Sequence, residues 1–107
     1  MSAGIIDGNV AGIFMVSLTL NPASVAAATS AEQDFTVPGV LPTDHIIKFD
    51  SQAPTAGIGA VNWRVKAANT ISVVFMNATA SPIDAPASVY RLAFLRPDSD
   101  LVGGLPS

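Results

Sequence analysis

No cysteine occurs in the 107 residues, which removes disulfide scaffolds, thiolate zinc sites and cysteine nucleophiles together. Charge is scarce as well. Asp, Glu, Lys and Arg make up 12% of the chain, five basic against eight acidic, for a net charge of −3; a typical domain carries about twice that share. Such a balance leaves no electrostatic footprint for nucleic acid, which requires clustered Lys and Arg. There is one histidine, and a single imidazole cannot build a transition-metal site. No D-x-D-x-D-G loop is present to hold calcium, and no G-x-S-x-G turn to aim a serine. The apolar stretch from Ile13 to Leu20 falls far short of the roughly 20 residues that span a bilayer. It also lacks the basic flank of a secretory leader, because no Lys or Arg precedes Lys48 and Asp7 is acidic. The chain therefore reads as made in the cytosol, where the sequon Asn77-Ala78-Thr79 carries no weight as a glycosylation site.

What the chain does have is apolar surface: 50% hydrophobic residues and a mean hydropathy of +0.48. Its length suits one domain. A soluble domain this apolar and this poor in charge is expected to cover part of its surface with partners.

The pattern is period-2 alternation broken by Pro, Gly and Asn, which predicts strands rather than helices. Residues 1–12, with Gly4, Gly8 and Gly12 and few anchors, read as a flexible N-terminal arm. Ile13 to Leu20 places Phe14, Val16, Leu18 and Leu20 on one face and Ser17 and Thr19 on the other, and Asn21-Pro22 ends the strand. Ala23 to Ala31 is open to three readings: loop, edge strand or one helical turn. Phe35 and Val37 share a face of the next strand; His45 to Asp50 is a short strand with Ile47 and Phe49 inward. In the clearest hairpin, Val61, Trp63 and Val65 alternate with Asn62, Arg64 and Lys66, then return through Ile71, Val73 and Phe75. A last strand from Ser88 points Tyr90, Leu92 and Phe94 one way and Arg91 the other, and residues 97–107 read as a flexible C-terminal tail. Six or seven short strands predict an all-β fold with a single β-sandwich over residues 13–96, either jelly roll or immunoglobulin-like.

Candidate chemistry is sparse. His45 has Asp44 and Asp50 nearby in sequence, but no serine held beside a base. Glu32 and Asp34, two apart on a strand, share a face; a solvated strand edge accounts for them better than a calcium site. Gly57 and Gly59 precede a strand instead of opening a helix, so they form no phosphate cradle. Trp63 reads as core before carbohydrate platform, and Asn62, Arg64 and Lys66 as the solvent side. No catalytic, cofactor or metal residue is expected. The apolar residues without a core role, Ile5, Ile6 and Val10 in the arm and Leu101 and Val102 in the tail, are candidate partner contacts, with disorder of both ends as the alternative.

The stretches Asn21-Pro22-Ala23-Ser24-Val25-Ala26-Ala27, Ala31 to Gly39, Gly57 to Val65 and Ala68-Asn69-Thr70-Ile71 resemble small structural proteins of tailed bacteriophages, of the capsid decoration (cement) kind. The likeness runs from about residue 21 to residue 96 and rests on turns and strands. It implies a non-enzymatic virion protein that binds a major capsid protein on the capsid surface, carries over no catalytic residues, and leaves a neck or tail position open. A homo-oligomer is expected, a trimer matching the local symmetry of icosahedral shells. The rival expectation is a carbohydrate- or receptor-binding module that uses Trp63 or Tyr90 as a stacking platform.

Overall fold

A computed structural model describes residues 10–97. The alternating segments form six strands: β1 (Val10–Leu20), β2 (Thr29–Thr36), β3 (His45–Ser51), β4 (Ile58–Ala67), β5 (Thr70–Asn77) and β6 (Ser88–Pro97). They build two antiparallel three-stranded sheets, ordered β1-β6-β3 and β2-β5-β4, which pack on one another. Only β4 and β5 are consecutive within a sheet; every other connection crosses between sheets. Residues 23–31 hold a bridge from Val25 to Ile83 and the start of the β2 edge strand at Thr29. β1 opens at Val10, paired with Pro97, so residues 10–12 and Pro97 belong to strands although the sequence pattern assigns them to arm and tail.

Each strand turns one side toward the opposing sheet, as its alternation requires, and the central strands β5 and β6 also bury Ser72 and Ala93 on their outer side. Val16, Leu18 and Leu20 of β1 point between the sheets beside Tyr90, Leu92 and Phe94 of β6, while Phe14, of the same parity, stays 44% exposed at the end of the sheet. The opposing sheet contributes Ile71, Val73 and Phe75 from β5. Full burial of one such side chain is worth about 1.5–3 kcal/mol, and the two central strands supply six of these buried side chains.

Two positions depart from simple alternation, for one physical reason. The β3–β6 register slips between Ile46 and Lys48, and the extra residue turns Ile47 outward, 52% exposed. Ile46 and Phe49 face the core in its place. The β4–β5 register slips between Ala60 and Asn62 and turns out Val61, leaving Ile58, Ala60, Trp63 and Val65 inward. A bulge shifts side-chain parity by one residue, which a period-2 reading cannot anticipate.

Loops are tied down by side-chain amides. Asn69, in the left-handed region at φ 62°, closes the β4–β5 turn. Its N–H donates to the Val40 carbonyl at 2.8 Å, and its Oδ1 accepts from the Gly39 N–H at 2.8 Å. Asn77 is 1% exposed. Its Nδ2 donates to the Val25 and Ser81 carbonyls at 3.0 and 2.8 Å, and its Oδ1 accepts from the Thr79 N–H and hydroxyl at 2.9 and 2.7 Å. With every amide atom engaged in the interior, this asparagine is sealed off as a glycosylation acceptor. Replacing Asn77 by Asp sets a carboxylate oxygen against two carbonyls, and we expect urea unfolding to show a loss of about 2–4 kcal/mol. Asn62→Asp, at an exposed position whose oxygen only accepts from the Trp63 N–H, should change stability by no more than about 0.5 kcal/mol.

Candidate functional site

The outer surfaces of the two sheets differ in kind. On the β2-β5-β4 sheet, Glu32 and Asp34 share one face, as their spacing predicts, and both are paired with cations. The Arg64 guanidinium donates to Glu32 through Nε and Nη2, both at 3.1 Å, and Lys66 Nζ reaches Asp34 at 2.8 Å. Both pairs cross over β5, where the buried Ser72 hydroxyl also donates to Asp34. Arg64 holds the Glu32 carboxyl below its ordinary pKa, while Lys66 and then Ser72 do the same for Asp34. This end of the sheet is a solvated, self-satisfied ionic surface.

The β1-β6-β3 sheet shows the opposite character. Its register puts Ile13, Leu95 and His45 in one outward row and Met15, Ala93 and Lys48 in the next. Ile13 is 60% and Met15 79% exposed, and Ile47 projects from the neighbouring bulge. Further along the sheet the rows turn polar, with Ser17, Arg91 and Asp50, the last bridged to Lys48 at 3.2 Å. Apolar exposure is therefore concentrated at the end of the sheet where β1 enters and β6 leaves.

An ion pair shapes that end. Arg96 donates through Nε and Nη2 to the two oxygens of Asp44, at 2.9 and 2.8 Å, and to the Gly39 carbonyl at 3.0 Å. Asp44 also accepts from the Leu41 N–H at 3.0 Å, which clamps the 37–44 loop to the end of β6. The Arg96 guanidinium lies 4.8 Å from the Phe14 ring centroid, within cation–π range. Between them opens a cleft of about 280 Å³, walled by Phe14, Val16, Val40 and Phe94 with the ion pair at its rim. The chemistry available here is apolar docking beside a neutralised charge.

The remaining candidates are scattered. His45 is exposed on the outer face opposite Leu95. Among the described residues, no cluster of three His, Asp or Glu is arranged to hold a metal ion. Gly57, at φ 85°, makes a close turn: its carbonyl accepts from the Ala78 N–H at 2.9 Å, and an added Cβ would strike the Thr79 side chain. Trp63 is stacked on Phe49 and donates Nε1–H to the Ile46 carbonyl at 3.2 Å, while Tyr90 is only 6% exposed; both rings are committed to the interior rather than to a stacking platform. Of the expected partner contacts, Val10 is the first residue of β1, and Ile5, Ile6, Leu101 and Val102 lie outside the described residues. Alternation had assigned the inward side of β1 and the outward Ser17 and Thr19, but not Ile13 and Met15. Their shared parity with Ser17 and Thr19 was the available signal.

Arg96 first, and the Leu41 N–H after it, hold the Asp44 carboxyl below its ordinary value near 3.8, against the opposing effect of burial. A depressed folded-state pKa contributes stability that is present above the ordinary value and lost as pH falls through the folded one. The gap in urea midpoint between the native chain and Asp44→Asn should therefore be constant near neutrality and shrink as pH drops below about 4. A gap that does not change with pH would show that the ion pair is not its source.

No family model, no curated protein and no solved structure matches the chain.

Proposed function

We propose that this chain is a non-enzymatic structural protein of a tailed-phage virion that decorates and stabilises the outer surface of the capsid. In this reading it sits in many copies against the major capsid protein. The observation that carries it is the apolar end of the β1-β6-β3 face, where Ile13, Met15 and Ile47 are 60%, 79% and 52% exposed; the opposite face exposes Val61 and Met76, at 56% and 48%, beside the Glu32–Arg64 and Asp34–Lys66 pairs. Exposed apolar surface of this kind marks an interaction site, and multiplicity on a shell lets modest contacts hold. The likeness to decoration proteins points the same way.

The strand order supports a jelly roll over an immunoglobulin-like sandwich. Immunoglobulin sheets keep consecutive strands side by side several times, whereas here it happens once. The orders β1-β6-β3 and β2-β5-β4 result from rolling up one long hairpin in which β1 pairs with β6 and β2 with β5. Strands β1 to β4 then alternate between the sheets and β5 and β6 return beside β2 and β1, as in a jelly roll shortened to six strands.

Quantitative proteomics of purified virions of the encoding phage, followed by rebinding to stripped shells, tests the reading. The chain should be present in proportion to the major capsid protein. Ile13→Asp/Ile47→Asp should weaken rebinding by about tenfold or more, while Arg64→Ala on the opposite sheet should leave it unchanged. Virions that lack the chain, or rebinding indifferent to Ile13 and Ile47, would overturn it.

A further inference from the structure

Three of the four sheet edges carry the devices that block strand pairing: charge, bulges or cover. β2 carries Glu32 and Asp34, and its Gln33 amide brackets the Ala23 backbone at 2.7 and 3.0 Å. β3 has a bulge, Lys48 and Asp50, and it packs against β4 through the Phe49–Trp63 stack. β4 has two register shifts together with Arg64 and Lys66. From Gly12 onward β1 has none of these. Its residues, Val-Ala-Gly-Ile-Phe-Met-Val-Ser-Leu-Thr-Leu, include no charge and no proline, and from Gly12 to Leu20 it runs without a bulge. Among the described residues it pairs with β6 alone, and no described strand occupies its other edge.

We infer that the occupant of this edge is β1 of a second copy, paired antiparallel about a two-fold axis at Val16. A two-fold contact requires a surface that meets itself without conflict, and β1 is the edge strand that can do so. In β2, by contrast, self-pairing would bring Glu32 and Asp34 together with their own counterparts. Centring on Val16 uses the whole unbulged segment and keeps the faces matched. On the inner side, half-exposed Phe14 meets Leu18 of the second copy and Val16 meets itself; on the outer side, Met15 meets Ser17 of the second copy. The result is a continuous six-stranded sheet across two chains. This pairing stands apart from any role on a capsid, and it sets a two-fold in place of the three-fold symmetry that shells would suggest.

Light scattering after size exclusion, on the free chain, tests it. The native protein should have about twice the 10.9 kDa chain mass. Met15→Lys/Ser17→Lys sets lysine against lysine twice across the axis and should halve that mass. Met15→Glu/Ser17→Glu should do the same, and mixing the two variants should restore the double mass. Both positions are exposed, and circular dichroism checks that the variants fold; Met76→Lys, at an exposed methionine of the other sheet, should stay dimeric. A native monomer at about 100 μM, a native trimer, or folded variants that fail to recombine on mixing would each overturn the pairing.

Discussion

Phe49 joins the two sheets, and much of the molecule depends on that joint. Its ring lies 5.1 Å from Tyr90, 5.9 Å from Trp63 and 6.5 Å from Phe75, distances at which aromatic pairs attract beyond simple burial. One side chain from β3 thus touches β4, β5 and β6. It closes the sandwich along the β3–β4 side, where the Trp63 indole also reaches the Ile46 carbonyl. The bulge at Ile47 belongs to the same arrangement: by shifting parity between Ile46 and Lys48 it brings both Ile46 and Phe49 inward. Closure on that side leaves β1 and β2 as edges on the other, one guarded by charge and the other bare.

The parts of this architecture that follow from period 2 were legible in the sequence. Val16, Leu18 and Leu20, then Ile71, Val73 and Phe75, then Tyr90, Leu92 and Phe94 all face the core as their alternation demands. The pairing of Glu32 and Asp34 on one face was equally open to reading, because two residues apart on a strand means one side. Ile47 and Val61 were misplaced inward because a bulge depends on the partner strand and leaves no mark in local composition. The Arg96–Asp44 clamp and the Asn77 network join residues that the chain brings together only after folding, across 52 positions in the Arg96–Asp44 and Asn77–Val25 bonds. No local pattern could announce them.

Polarity is distributed unevenly over the molecule. A chain with so little charge places Glu32, Arg64, Asp34 and Lys66 together on one sheet and satisfies them there. The other sheet carries Lys48, Asp50 and Arg91 as well, but at one end Ile13 and Met15 face outward beside an apolar cleft at Phe14. Arg96, the charge nearest that cleft, is neutralised by Asp44, so the end of the molecule where β1 enters and β6 leaves offers apolar contact with little electrostatic selectivity. Such a surface suits a fixed partner met at high local concentration, as on a regular shell.

Two methionines make this contrast measurable without any substitution. Met15 reports on the β1-β6-β3 face and Met76 on the β2-β5-β4 face, at 79% and 48% exposure. Peroxide oxidation followed by peptide mass spectrometry, on the free chain and on intact virions, compares the two directly. The account predicts that Met15 oxidises severalfold more slowly on the virion while Met76 keeps its free-chain rate. Equal oxidation of Met15 in both states, or protection of Met76 instead, would contradict it.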